Sequence, residues 1–172
     1  KNIPVKILNT FNPKAKGTVI TNKEVDSLKS VTAKKGITIV NICSAGMFNA
    51  HGFLARIFEI FAKYKIVVDV VSTSEVSVSL TIDKKLNEEA LDELKKFSTI
   101  TIFENMAIVC LVGSGIRSNT KILGELFSAI KNYDVNMVSL GASKRNITFL
   151  VKSEISSEVV SKVFHTFFNN NR

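Results

Sequence analysis

The sequence predicts an α+β protein made of two tandem βαββαβ units, each an antiparallel sheet with helices on one face. Two observations predict this fold class. After a shift of 69 positions, residues 37–83 align without a gap with residues 106–152, with seven identities. In each copy, an apolar run, a helical repeat of apolar residues and two more strand-like runs follow in the same order. A repeat of this length indicates two copies of one structural unit.

The matching positions are spread over strands, turns and helix, so the likeness covers the whole unit. The identical pairs are Ile39/Ile108, Val40/Val109, Gly46/Gly115, Leu54/Leu123, Phe58/Phe127, Tyr64/Tyr133 and Ser74/Ser143. Apolar residues match at further positions, so each copy is expected to bury the same faces.

The first copy predicts each element in turn. Residues 37–43 form an apolar run typical of a strand, and Gly52 stands at the entrance of a helix. The β-branched run 66–71 predicts a second strand, and alternation over 76–83 predicts a half-buried third. The apolar face of the helix is expected to consist of Leu54, Ile57, Phe58 and Phe61.

A second helix and a closing strand complete each unit. In the first copy Asn87 is the expected N-cap, with acidic residues in the opening turn, and residues 98–103 supply the fourth strand. In the second copy Ser156 is the expected cap, and no closing strand follows it. We therefore expect residues 28–33, ahead of a turn at 34–36, to complete the second sheet.

Length and composition set the class of protein. With 172 residues, 45% of them hydrophobic, the chain can bury a core. It begins at Lys1 and has neither a signal pattern nor an apolar run near the 18 or so residues that span a bilayer, so a soluble piece of a longer protein is expected. Cys43 and Cys110 lie in apolar runs, which predicts buried thiols in a reducing compartment.

Charge and motifs exclude most other functions. The net charge is +8, but the lysines are dispersed, which favours a solvated basic surface over a nucleic-acid footprint. RNA-recognition modules share the βαββαβ order but stack bases on strand aromatics, and here the outward positions are Ser77, Ser79 and Thr81. Gly113-Ser114-Gly115 lacks the third glycine of a dinucleotide fingerprint, and neither His51 nor His165 has a catalytic partner, so no catalytic residue or metal site is predicted.

Two polar features of the first copy are hard to explain by packing. The loop before Phe53 contains Gly52 and would leave backbone N–H groups free at a helix N-terminus, which favours a carboxylate. Asp69 interrupts an apolar strand, where an ammonium group would be a suitable partner. Taken singly, a turn glycine and a carboxylate on a solvated sheet face explain them. Taken together they indicate an amino-acid ligand.

The second copy does not repeat this pair of features. The gapless alignment places Val138, Lys121 and Arg117 where the first copy has Asp69, Gly52 and Phe48. We therefore predict that the first copy binds the ligand and that the second supports assembly and communication.

Three stretches resemble a known family. Residues 47–55, residues 68–79 and Gly141-Ala142-Ser143 are similar to the paired ACT domains at the C-terminus of aspartate kinases, particularly the lysine-sensitive type. Residues 9–18 resemble the segment that closes the catalytic domain of that family. The resemblance implies three parts: 1–22 as the end of the kinase domain and a connector, 23–103 as a first ferredoxin-like ACT domain, and 104–172 as a second.

The resemblance also implies a function. ACT domains of this family bind the end-product amino acid, here most of all L-lysine, and feedback-inhibit phosphorylation of L-aspartate by ATP. It implies a non-catalytic region, a homodimer formed through ACT domains, ATP and Mg only in an attached kinase domain, a cytoplasmic or plastid location, and neither nucleic acid nor membrane as partner. Alternatives are a stand-alone amino-acid-binding regulator and, more distantly, an RNA-binding protein.

Carried onto matching positions, the resemblance implies a set of effector-binding residues from one loop, one strand and one turn. Ala50 and Val67 depart from the polar residues that many relatives carry there. The set is Met47, Ala50, His51, Gly52, Phe53, Leu54, Val68, Asp69, Thr73, Ser74 and Glu75.

Overall fold

A computed structural model describes residues 3–20, 27–48 and 51–169 of the chain. Within these ranges two short 3-10 helices, Ala45–Met47 and Ile116–Ser118, precede longer helices. The strands are β1 (Val5–Ile7), β2 (Thr18–Ile20), β3 (Leu28–Cys43), β4 (Val68–Thr73), β5 (Ser77–Ile82), β6 (Thr99–Gly113), β7 (Met137–Leu140) and β8 (Asn146–Lys152). The helices are α1 (Phe53–Lys63), α2 (Glu88–Lys95), α3 (Thr120–Ile130) and α4 (Ser156–Phe168).

Six of the strands form one antiparallel sheet in the order β4-β5-β3-β6-β8-β7, while β1 and β2 pair separately. The first repeat uses β4, β5, residues 37–43 of β3 and residues 99–103 of β6, covered by α1 and α2. The second repeat uses β7, β8, residues 106–113 of β6 and residues 28–35 of β3, covered by α3 and α4. The predicted α+β class, with two βαββαβ units, is confirmed.

The second sheet is closed from the start of the chain. Register pairs run from Leu28 with Gly113 to Lys35 with Ala107, so the prediction that residues 28–33 close this sheet is confirmed. Gly113 makes the close approach possible, because a Cβ there would lie 2.7 Å from the Cα of Leu28. The second repeat therefore takes its fourth strand from the half of β3 that precedes the first repeat.

Two expected breaks are absent. The turn predicted at residues 34–36 is wrong, because β3 runs through them and absorbs Gly36, at φ 77°, as a register shift. Likewise the strands predicted to close the first unit and open the second are one strand, β6, with Asn105 at φ 57° between its halves. A bend within a strand satisfies the backbone hydrogen bonds that a loop would lose.

Three apolar clusters hold the molecule together. In the first repeat Ile57 and Phe61 of α1 pack on the sheet, and in the second Leu126 and Ile130 of α3 occupy the same positions. A third cluster lies on the helix-free faces, where Val70 of β4 packs against residues from both repeats. Its buried members are Ile37, Ile39, Met106, Met137 and Leu150. Because β4 also contacts β7, the sheet curls until its edge strands approach each other.

The apolar face of α1 differs from the predicted one. Ile57, Ile60 and Phe61 are buried, whereas Leu54 and Phe58 are each 39% exposed. Both of the exposed residues recur as identities in the second repeat. Leu54 and Phe58 thus form an apolar surface, called the α1 ridge below, rather than part of the core.

Of the two predicted caps, one is confirmed and one is wrong. Asn87 Oδ1 accepts from the backbone N–H of Ala90 at 3.2 Å and caps α2. Ser156 lies inside α4 instead, fully buried, and its hydroxyl donates to the carbonyl of Ser153 at 2.7 Å. The N-cap position of α4 belongs to Ile155, which makes no side-chain cap hydrogen bond.

The expectation of two buried thiols is wrong for Cys43. It is free and exposed at the end of β3, while Cys110 is free and partly buried. No helix in the described ranges is long and apolar enough to cross a membrane.

Candidate functional site

The loop between β3 and α1 supplies one half of the candidate site. Gly52 adopts φ 78° directly before α1, and no side chain of the described residues caps this helix. The backbone N–H groups of its first turn are therefore open to an acceptor, and the helix dipole favours a negative one. This arrangement suits a carboxylate.

The predicted loop residues present different groups. Met47 and Phe53 are partly buried against the first core, and Phe53 meets Phe97 edge-on with centroids 5.5 Å apart. His51 and Leu54 are exposed, and Ala50 lies outside the described residues.

The exposed turn Thr73–Glu75 lies at the same end of the first repeat. The backbone N–H of Ser74 donates to Ser77 at 2.8 Å, and that of Ser44 donates to Val76 at 2.9 Å. The second bond ties the end of β3, where the loop to α1 begins, to the turn between β4 and β5. Loop and turn therefore share one edge of the repeat.

Asp69 and Val68 lie at the opposite end. The register aligns Thr38 with Ile82 and Val68, at the start of β4, whereas Cys43 aligns with Ser77 beside the turn. At about 3.3 Å per residue, the stretch from 38 to 43 spans roughly 16 Å. One chain therefore does not bring Asp69 to the N-terminus of α1.

Asp69 already has an ammonium partner within the chain. Lys34 Nζ lies 3.0 Å from Asp69 Oδ2 and 2.5 Å from Asp83 Oδ1. A bulge in β4 places Asp69 and Val70 opposite the single residue Thr81, whose Oγ1 accepts from the N–H of Val70 at 2.9 Å. Sequence reasoning missed Lys34, and only its place in an alternating strand could have indicated it.

These contacts shift the pKa values of Lys34 and Asp83. Hydrogen bonds to Asp83 and then to Asp69 raise the pKa of Lys34 above its ordinary value. The bond from Lys34 lowers the pKa of Asp83. All three side chains are partly exposed, so solvent screens them.

A cleft of about 400 Å³ opens beside this ion cluster, between the end of α1 and the end of β5. Asp83 lies on its wall. The lining residues are Tyr64, Lys65, Ile66, Val67, Ile82, Asp83, Lys84, Lys85 and Asn87. The cleft leaves space for a small ligand next to Asp83, but no residue of the loop between β3 and α1 lines it.

The second repeat fills its own helix N-terminus. Asn119 Oδ1 accepts from the N–H groups of Lys121 at 3.1 Å and of Ile122 at 3.3 Å. A polar cleft of about 340 Å³ lies there, but the cap already uses the donors that an anion would need.

The alignment of Val138 with Asp69 is wrong. Val138 pairs with Phe149, and the first-repeat counterpart of Phe149 is Leu80, which pairs with Val71. Pairing along β7 shows no register shift, so Asp69 belongs to a bulge that this strand lacks. The conclusion that the second repeat offers no such carboxylate is unchanged.

No group of three or more His, Cys, Asp or Glu side chains in the described ranges is placed to hold a metal ion.

Comparison with known proteins identifies the fold and its relatives. A model of the ACT domain family matches residues 40–96 and 109–167. The chain is 37% identical to aspartokinase 1 of Arabidopsis thaliana over 98% of its own length and 32% of that protein. It superposes with a TM-score of 0.81, at 32% identity, on aspartokinase III of E. coli in complex with lysine and aspartate, covering 97% of this chain and 39% of the other.

A third relative is a regulatory domain solved alone. The C-terminal regulatory domain assigned to aspartate kinase of Porphyromonas gingivalis is 34% identical, with a TM-score of 0.73, over 84% of this chain and all of that one.

The chain belongs to the ACT domain family and carries two ACT domains in tandem. It matches aspartokinases over nearly its whole length, and a regulatory domain of one over 84% of it. It spans between 32% and 39% of the two full-length relatives above.

Proposed function

We propose that this chain senses an amino acid, most of all L-lysine, and feedback-inhibits the phosphorylation of L-aspartate by ATP in an attached kinase domain. That domain, with its ATP and Mg, would be contributed by sequence outside these 172 residues. The observation that carries the proposal is the uncapped N-terminus of α1 in a chain that superposes on a lysine-bound aspartokinase.

The chemistry of an amino acid matches two groups of the first repeat. Its carboxylate would accept from the N–H groups that follow Gly52, where the helix dipole adds to the attraction. Its ammonium group would pair with Asp69, a charge-assisted bond stronger than a neutral one. The second repeat would bind no ligand, because Asn119 caps its helix.

A two-fold dimer would bring these groups together. β4 is an edge strand of the six-stranded sheet, and edge strands are the usual place for pairing between chains. If two copies of β4 pair antiparallel about a two-fold axis near Val71, Asp69 of one chain faces residues 73–75 of the other. Those residues lie at the edge where α1 begins, so each ligand would contact both chains.

The α1 ridge supports the same assembly. Leu54 and Phe58 are each 39% exposed, and Phe48 is 57% exposed on the preceding loop. Exposed apolar side chains on a helix and on the loop that leads into it are typical of a protein interface. The dimer would cover these side chains and exclude water from the ligand.

Calorimetry with the 172-residue chain tests the proposal. We expect L-lysine to bind at one site per chain, and L-threonine and other aspartate-family amino acids to bind more weakly. Asp69→Asn should lower the affinity for L-lysine about thirty- to a hundred-and-fifty-fold, because losing a charge-assisted hydrogen bond costs about 2–3 kcal/mol. Asp134→Asn, in the second repeat, is the matched control and should leave the affinity unchanged.

Gly52→Val probes the carboxylate half of the site. A Cβ at Gly52 meets no atom within 4 Å, but φ 78° disfavours any L side chain, so the loop should shift and lysine should bind more weakly.

Sedimentation equilibrium tests the dimer. A monomer at high concentration with and without lysine, two equivalent sites per chain, or a flat titration with every amino acid would contradict the proposal.

A further inference from the structure

Lys34 joins the two carboxylates at the base of the first repeat. Its Nζ contacts Asp69 at 3.0 Å and Asp83 at 2.5 Å. Lys34 itself belongs to the half of β3 that closes the second repeat, where it pairs with Ile108. A lysine from the strand half of the second repeat thus pairs with a carboxylate of the first.

The cluster holds two carboxyl groups and one ammonium group. The ammonium of Lys34 contacts both carboxyl groups, and its hydrogen bond lowers the pKa of Asp83. Because Asp83 can hold Lys34 alone, Asp69 can turn to a second ammonium group without leaving Lys34 unpaired. The geometry therefore permits an exchange of partners.

We infer that Lys34 is a built-in competitor for the effector, occupying Asp69 in the ligand-free protein and withdrawing to Asp83 when an effector's ammonium group arrives. This inference rests on the proposed function, which assigns Asp69 to that group. Lys34 is then a positioning residue that sets the effector affinity without being part of the effector site. Asp83 is the alternative ion-pair partner of Lys34.

The exchange also connects the repeats. While Lys34 holds Asp69, an ion pair fastens β4 to the strand half that belongs to the second repeat. Val70, next to Asp69, packs in the third cluster with Met137 of β7. Effector binding removes the ion pair but leaves that apolar contact, so the two edge strands keep their packing and lose one electrostatic link.

Two substitutions should shift the affinity for L-lysine in opposite directions. Lys34→Met removes the competitor and keeps the stem, so L-lysine should bind about two- to fivefold more tightly, the range expected for a partly exposed ion pair. Asp83→Asn removes the alternative partner of Lys34. The ion pair between Lys34 and Asp69 should then be more stable, and L-lysine should bind about two- to fivefold more weakly. Lys34→Arg retains the charge and should stay within about twofold of the unmodified chain.

The matched control is Lys35→Met. It removes the same charge one residue away, where the ammonium donates to Ser157 of α4 at 3.0 Å. Calorimetric titration of each full 172-residue variant with L-lysine should show no change for this control. Thermal unfolding of each variant, measured in parallel, identifies any affinity change caused by loss of fold.

The outcomes separate the inference from the proposed function. If the unmodified chain binds L-lysine and Asp69→Asn abolishes binding, yet Lys34→Met binds no more tightly than the unmodified chain, the competition is refuted and the sensor stands. Equal tightening in Lys34→Met and Lys35→Met would show a general charge effect and also refute it, as would shifts of the same sign in Lys34→Met and Asp83→Asn. If neither the unmodified chain nor Lys34→Met binds any amino acid, both ideas fail.

Discussion

The two repeats have the same fold but differ where α1 and α3 begin and where β4 and β7 run. α1 begins after an uncapped glycine, whereas Asn119 caps α3. β4 has a bulge that turns Asp69 outward, whereas β7 pairs without a register shift. The helix cores, by contrast, bury mostly corresponding residues, with Ile57 matching Leu126 and Phe61 matching Ile130.

This difference shows where a duplicated fold can acquire a function. Core positions are constrained in both repeats, because each helix must bury the same face of the same sheet. A helix N-terminus and an edge strand carry fewer packing constraints, so one copy can leave donors free while the other satisfies them. Function and stability can then be divided between the repeats, and four measurements test that division.

The largest expected effect is on the cores. Ile57→Ala and Leu126→Ala, at matching and fully buried positions, should each lower the free energy of unfolding by about 2–5 kcal/mol. Because β3 and β6 run through both repeats, each variant should shift one common transition in urea. Phe127→Ala, at a side chain 45% exposed, is the control and should cost far less. Two separate transitions, with only one moved, would show that the repeats unfold independently.

Gly113→Ala comes next in size. The new Cβ would lie 2.7 Å from Leu28 Cα and 2.8 Å from the carbonyl oxygen of Ser27, so the closing strand must move. We expect a loss of about 1–3 kcal/mol and faster amide exchange over residues 28–35. The control is Gly124→Ala, on α3, where a Cβ meets nothing within 4 Å and helix propensity should stabilise by about 0.5–1 kcal/mol. Unchanged exchange at 28–35 would contradict the close approach.

Asn119→Ala removes the cap that distinguishes the second repeat. Its Oδ1 accepts two backbone N–H groups, so the variant should lose about 0.5–2 kcal/mol in thermal or chemical unfolding. Lys121→Ala, in the first turn of the same helix, keeps the cap and should change stability by less. The loss should not depend on L-lysine. A variant whose stability loss disappears when L-lysine is added would assign this repeat to the effector.

The smallest expected effect is on acid sensitivity. Both repeats join their helices by a tyrosine–glutamate bond of 2.7 Å, Tyr64 to Glu93 and Tyr133 to Glu158. Only the first adds Lys63, and its hydrogen bond, followed by that of Tyr64, lowers the pKa of Glu93 below the ordinary 4.5.

The sign of the effect follows from that lowered pKa. A carboxylate with a depressed pKa in the folded state stabilises above its unfolded pKa and loses that contribution as pH falls through the folded pKa. Glu93→Gln should therefore flatten the fall in urea stability between about pH 5 and 3. A fall as steep as that of the unmodified chain would mean that the bonds from Lys63 and Tyr64 do not stabilise the folded state.

Local patterns predicted much of this fold. Asn87 could be predicted as an N-cap because an Asn that precedes two acidic residues and a helical repeat of apolar residues is typical of a helix N-terminus. Residues 28–33 could be assigned to the second sheet because that sheet lacked a fourth strand. Both predictions needed only short-range spacing and a count of strands.

The details of the site could not be read in the same way. The bulge at Asp69 depends on how β4 pairs with β5, and a gapless alignment cannot register an extra residue in one strand. Lys34 and Asp69 are 35 residues apart, and in the sequence Lys34 is one of several lysine pairs. The separation of Asp69 from the loop after Met47 likewise appears only when strand directions are known.

The use of residues 28–35 in the second repeat also sets an order of events during synthesis. These residues leave the ribosome 72 to 85 positions before their partners, from Lys35 with Ala107 to Leu28 with Gly113. At about 5–20 residues per second, that strand half waits on the order of 4–17 s with its backbone unpaired. During the same interval residues 37–43 can pair with β5 and fold under α1. The first repeat can therefore form its core while residues 28–35 are still unpaired. The second repeat must then pair with a strand that was synthesised before α1 and α2.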